Sequence, residues 1–121
     1  MDARDLLGVP FVPHGRSPVP GFDCIGLTLY LRPDLRFLDR DDYDIAGSQN
    51  LLAEAILRLA PREGEPHPGD ILVFSFRGMG PDHVGVYLGG GRFIHVLYGR
   101  KVTSPRLVGV YRKCLIGVYR G

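Results

Sequence analysis

The sequence predicts an α+β fold, with N-terminal helices packed on an antiparallel sheet. Three observations predict it. The first half carries two apolar segments punctuated as helices by capping residues in front and prolines behind. The second half changes to short apolar runs bounded by Gly and Pro. Two of those runs flank the triple glycine Gly89-Gly90-Gly91, a hairpin signal. A length of 121 residues fits a single domain spanning 1–121.

Residues 8–21 hold Pro10, Pro13, Gly15, Pro18 and Pro20 and read as a structured loop. Asp23 caps a helix that starts at Cys24 and must stop before Pro33. That segment is apolar nearly all round, so its pattern also allows a buried strand. An acidic loop, 39–47, follows, and Ser48 caps a second helix. There Leu51, Leu52, Ala55, Ile56 and Leu59 share one face, and Pro61 closes it. After a turn-rich stretch, 63–69, strands are expected over 71–76, 84–88, 92–97, 101–103 and 115–119.

Composition narrows the function. Cys24 and Cys114 form no CxxC pair, which argues against a zinc ribbon or a disulfide scaffold and favours two free thiols. Cys114 precedes an apolar strand and is expected to pack in the core. A net charge of +2 is too small to imply a nucleic-acid partner. The charge is unevenly spread: residues 92–121 hold seven Lys/Arg and no acid, a solvated basic edge or a surface for an anionic partner. No apolar run approaches the ~20 residues that span a bilayer. The start Met1-Asp2-Ala3-Arg4-Asp5 lacks the apolar stretch of a secretion signal, so the chain is expected to be cytoplasmic as made.

Cysteine catalysis needs a thiolate, a base beside it and a group that orients the base. Cys24 at a helix start has the dipole and free N–H groups that lower a thiol pKa and can hold an oxyanion. Gly26 is expected to keep the first turn slim for a substrate. If Gly89-Gly90-Gly91 is a three-residue loop, Gly85 faces His95 and His83 faces Leu97. His83 and His95 then share one face as diagonal neighbours ~7–8 Å apart at the backbone. Val84, Val86, Ile94 and Val96 fall on the other face as core. The same three residues suit zinc by atom type, but their wide spacing makes a metal site a weak reading, and no cofactor is expected. His14 and His67 lie in loops and read as surface residues.

Three stretches, taken together, resemble the NlpC/P60 family. Gly21-Phe22-Asp23-Cys24-Ile25-Gly26-Leu27 is similar to its DCSGL-type nucleophile motif. Pro68-Gly69-Asp70-Ile71-Leu72-Val73-Phe74 is similar to its PGD strand. Asp82-His83-Val84-Gly85-Val86-Tyr87-Leu88 and Gly91-Arg92-Phe93-Ile94-His95 are similar to its HVGIY…FIH segment. The resemblance implies a papain-like fold and a catalytic Cys24–His83–His95 triad: nucleophile, base and orienting residue. It implies hydrolysis of peptidoglycan stem peptides, often beside D-glutamate and diaminopimelate. A bell-shaped pH profile is expected, because thiolate and imidazolium are needed together.

The same resemblance sets the surroundings of Cys24. Its own backbone N–H is an expected oxyanion donor, Asp23 is expected beside it as a cap rather than a catalytic acid, and Phe11 stands where many members carry Tyr. Ile25 replaces the usual Ser. Gly8-Val9-Pro10-Phe11 and Gly15-Arg16-Ser17 before the cysteine are most similar to short members of phage tails and gene transfer agents, which implies tail-particle partners. A structural tail protein with a vestigial site, and a thiol amidase or acyltransferase on another substrate, remain as alternatives.

Overall fold

The computed structural model describes residues 2–43 and 48–121. A short 3-10 turn, Ala3–Leu6, opens the chain. Strands β1 (Arg16–Ser17) and β2 (Gly21–Phe22) then form a small hairpin. Helix α1 runs Cys24–Leu31, a 3-10 turn follows over Pro33–Leu38, and α2 spans Ser48–Ile56. The main sheet is built from β3 (Ile71–Phe74), β4 (His83–Gly89), β5 (Arg92–Ile94) and β6 (Leu115–Tyr119), with α3 (Val110–Cys114) leading into β6. Strand order is β5-β4-β3-β6 and every pairing is antiparallel. This is an α+β fold. No described helix is long and apolar enough to cross a membrane.

α1 forms where the sequence punctuates it. Asp23 accepts from the Gly26 N–H at 2.7 Å, satisfying one of the first-turn donors. α2 stops at Ile56, before Pro61, because the Arg58 and Leu59 N–H groups tighten into i→i+3 bonds. The end of the acidic loop, 44–47, lies outside the described residues, and so do the side chains of the expected cap Ser48 and the stripe position Leu51.

Strand alternation splits the sheet into two faces. Ile71, Val73, Val84, Val86, Ile94 and Val96 pack with Ile25, Leu27, Leu29 and Leu52 from the N-terminal helices. Leu72, Phe74, Phe93 and Leu107 form a second cluster on the other face, with Tyr111 against it. α3, absent from the sequence reading, covers that face. Cys114 is half-buried against this second cluster, and both cysteines are free. Burying each large apolar side chain contributes about 1.5–3 kcal/mol.

The hairpin register is the expected one, with Tyr87 opposite Phe93 and Val86 opposite Ile94. The turn itself differs. Gly89 stays in β4, pairs with Arg92 and makes an irregularity after Tyr87, leaving Gly90-Gly91 as the loop. All three glycines have positive φ, which only glycine adopts without strain. The expected strand over 92–97 ends at Ile94; His95 instead exchanges backbone bonds with Thr103, at 3.1 and 3.0 Å. Residues 101–103 make isolated bridges, Lys101 to Pro10 and Thr103 to His95, rather than a strand. The outer strands are covered to different extents: 103–107 bonds along β5, whereas 60–62 bonds only at the C-terminal end of β6, to Val118 and to Arg120 and Gly121 beyond it.

Gly26 has a different reason from the one its sequence position suggests. A Cβ there would sit 1.8 Å from the Gly15 carbonyl oxygen, so the segment leading into β1 presses directly on the first turn of α1. Gly26→Ala is therefore expected to destabilise the fold by about 3 kcal/mol through overpacking against backbone. An unchanged urea midpoint would contradict this close packing.

Candidate active site

Cys24 enters the site as the first residue of α1, held by the Asp23 cap. His83 is the first residue of β4, and His95 follows β5 on the same face of the sheet. Cys24, His83, Asp23, Phe11 and Ile25 line one cavity of about 200 Å³, with Tyr43, Phe76, Arg77, Asp82, Val96, Leu97 and Tyr98. His95 stands behind it: His83 Nε2 and His95 Nδ1 are 2.8 Å apart. Gly85 makes this possible, because a Cβ there would lie 3.3 Å from His95 Cβ and 3.0 Å from the Ile94 carbonyl oxygen. His67 is exposed, as expected of a loop residue. His14 is not simply surface: its ring stacks on Tyr43 at 4.5 Å between centroids.

Aromatic rings enclose the two histidines. Phe74 and Phe76 lie 5.8 and 5.2 Å from the His83 ring, and Phe93 and Tyr111 lie 4.8 and 5.3 Å from His95. Burial pushes His83 down to about 3, and the charge of a protonated His95 would act the same way. Burial also brings His95 down to about 4. Both imidazoles are therefore neutral at pH 7.

The helix start was expected to lower the thiol pKa of Cys24. The balance goes the other way. Burial pushes the thiol up to about 12, and the Asp23 carboxylate adds to the rise. The N–H groups of Val84, Ile25 and Cys24 itself oppose this and are outweighed.

A polar cluster braces the Asp23 cap of α1, next to Cys24. Arg16 Nη1 donates to Asp23 Oδ1 and to the Gly15 carbonyl, both at 3.0 Å, while Nη2 donates to Tyr43 Oη at 2.7 Å and Nε to Asp39 Oδ1 at 3.1 Å. The Tyr43 hydroxyl donates to Asp23 Oδ2. Burial and this bond push the Tyr43 phenol pKa up. Asp23 is thus fully engaged as a cap and ion-pair partner. Sequence reasoning missed Arg16 as its partner, and also Tyr43, Phe76, Arg77 and Tyr111. Arg16 stands within a quoted motif, but no local pattern marks the other four. No group of three or more His, Cys, Asp or Glu among the described residues is placed to hold a metal ion.

The NlpC/P60 family model matches residues 8–120, nearly the whole chain and all of this site. The chain belongs to the NlpC/P60 family. Among similar proteins, gamma-DL-glutamyl hydrolase of Bacillus subtilis (strain 168) is 36% identical over 115 residues, covering 93% of this chain and 26% of that protein. Murein DD-endopeptidase MepH of Escherichia coli (strain K12) is 40% identical over 90 residues, covering 73% of this chain and 31% of that protein. The chain thus spans about a third or less of the length of these curated relatives. The NlpC/p60 domain of peptidoglycan hydrolase SagA superposes with a TM-score of 0.63 at 27% identity, over 98% of this chain and 92% of that one. An NlpC/P60 protein from Bacillus cereus ATCC 10987 reaches a TM-score of 0.70 at 25% identity, over 98% of this chain and 37% of that one.

Proposed function

We propose that this NlpC/P60 domain is a thiol peptidase that hydrolyses peptidoglycan stem peptides through Cys24, His83 and His95. The observation that carries the reading is the 2.8 Å His83–His95 contact directly behind the cavity that Cys24 lines. With Nε2 of His83 engaged by His95, Nδ1 is the ring nitrogen left for the thiol. A base at Nδ1 requires the tautomer in which Nε2–H donates to Nδ1 of His95.

The chemistry then runs in two halves. His83 takes the Cys24 proton as sulfur attacks the peptide carbonyl, and the backbone N–H of Cys24 holds the oxyanion. The C–N bond breaks, His83 returns the proton to the departing amine, and a thioester remains on Cys24. Water, deprotonated by His83, attacks the thioester; the new acid leaves and the thiol recovers its proton. Asp23 acts on the helix start and Phe11 on the cavity wall.

Relatives named for murein and peptidoglycan support this substrate, and the one named for gamma-glutamyl hydrolysis supports a bond beside D-glutamate. The motif order before Cys24 supports carriage by a phage-tail-like particle. The test incubates purified protein with peptidoglycan fragments, follows products by mass spectrometry, and maps labelling by a thiol-directed acyl inhibitor. New stem-peptide termini with label on Cys24 are expected. Neither product nor label would overturn the reading.

A further inference from the structure

The charged groups around the cavity are unequally committed. Asp23 is spent on Gly26 N–H, Arg16 and Tyr43. Asp82 has a buried side chain whose Oδ1 accepts from Phe76 N–H at 2.9 Å and whose Oδ2 accepts from Arg77 N–H at 2.8 Å. Those two bonds tie the β3–β4 loop down at the cavity rim. Arg77 is the remaining charge. Its Nε lies 3.7 Å from Asp82 Oδ2, its side chain is 56% exposed, and its guanidinium makes no hydrogen bond among the described residues. The other walls are mostly apolar, with Phe11, Ile25, Phe76, Val96 and Leu97. A forked donor set at an apolar rim suits one partner best, a planar carboxylate met by two N–H groups.

We propose that Arg77 is a specificity residue that pairs with a free carboxylate on the substrate residue beside the bond being cleaved. The proposal rests on the hydrolase reading above and adds a selection rule to it. The domain prefers a stem peptide whose glutamyl α-carboxyl is free over the same peptide with that group amidated. Amidation removes the charge and leaves shape and length unchanged, so the preference isolates the ion pair. A rim-exposed pair that becomes partly desolvated as the peptide fills the cavity is expected to give roughly tenfold discrimination.

Two stem peptides differing only in that carboxyl test it. Wild-type kcat/KM is expected to favour the free acid about tenfold, and the ratio is expected to shrink as salt rises. Arg77→Gln is expected to bring the ratio close to one, and Arg77→Lys to keep part of it because charge remains without the fork. Equal rates on both peptides by the wild type overturn the proposal and leave the hydrolase reading standing. If neither peptide is cut, their dissociation constants with the wild type and with Arg77→Gln decide. Tighter binding of the free acid that vanishes in the variant supports Arg77 even though the hydrolase reading has failed. Equal binding of the two peptides overturns the proposal.

Discussion

Replacing Cys24 with alanine or His83 with glutamine is expected to lower kcat/KM for a stem peptide by about a thousandfold or more. The two effects should not add. Once the proton acceptor is gone the thiol of Cys24, held near a pKa of 12 by burial and Asp23, supplies little thiolate, so the double variant should resemble either single one. His95→Ala should fall less, by roughly ten- to a hundredfold, because it frees the His83 ring without removing its basic nitrogen. His95→Gln should recover part of that loss by accepting from His83 Nε2. Steady-state kinetics on a single purified peptide decide this; additive losses from Cys24 and His83 would break the pair apart.

The same pair fixes the pH profile. In the proposed mechanism, reaction needs one proton shared between sulfur and His83, whichever atom holds it. The second proton adds only near the depressed His83 value, about 3, and the last leaves only near that of the thiol, about 12. The expected bell becomes a plateau across about pH 6–9. An alkaline limb falling near pH 8 would instead reveal a resting thiolate–imidazolium pair, the state that the helix-start argument alone favours.

Acid should unfold the protein early. His83 and His95 are neutral when folded, at about 3 and about 4, but take up protons near 6.5 once unfolded. Between those values the unfolded chain binds more protons, so stability is present above pH 6.5 and falls as pH drops. Two such groups give a slope of up to about 2.7 kcal/mol per pH unit, large beside a total of about 5–15 kcal/mol. Asp70 works in a lower window. Burial works to raise its pKa, but the bonds from Arg62 and the His67 N–H win and hold it below 3.8, so its contribution is lost only as pH falls further. Urea midpoints should therefore drop steeply between pH 7 and 5. The double variant His83→Gln/His95→Gln should flatten that drop; an unchanged slope would place the acid sensitivity elsewhere.

What the sequence made legible was what depends on near neighbours. Asp23 and Pro33 bracket α1 because capping and proline sterics act within a few residues. Three glycines set the β4–β5 register, which alone decides that His83 and His95 share a face. The details that escaped depend on distant partners. Tyr111 reaches His95 from sixteen positions along the chain, and Arg16 meets Tyr43 across twenty-seven. The sign of the Cys24 shift escaped for the same reason. A helix start is a local feature, whereas desolvation is the sum of everything packed around the sulfur.

The covered margins of the sheet limit how a peptide can be received. With 103–107 bonded along β5 and 60–62 bonded at the C-terminal end of β6, only the short Leu115–Gly117 stretch of β6 is left without such cover among the described residues. Many peptide-binding domains grip their ligands by adding them as an extra strand, a mode that is tolerant of side-chain identity. That grip is closed off along β5, the edge next to His95. On that side a peptide is held by what protrudes into the cavity, so changes at the rim should retune substrate choice without disturbing the scaffold.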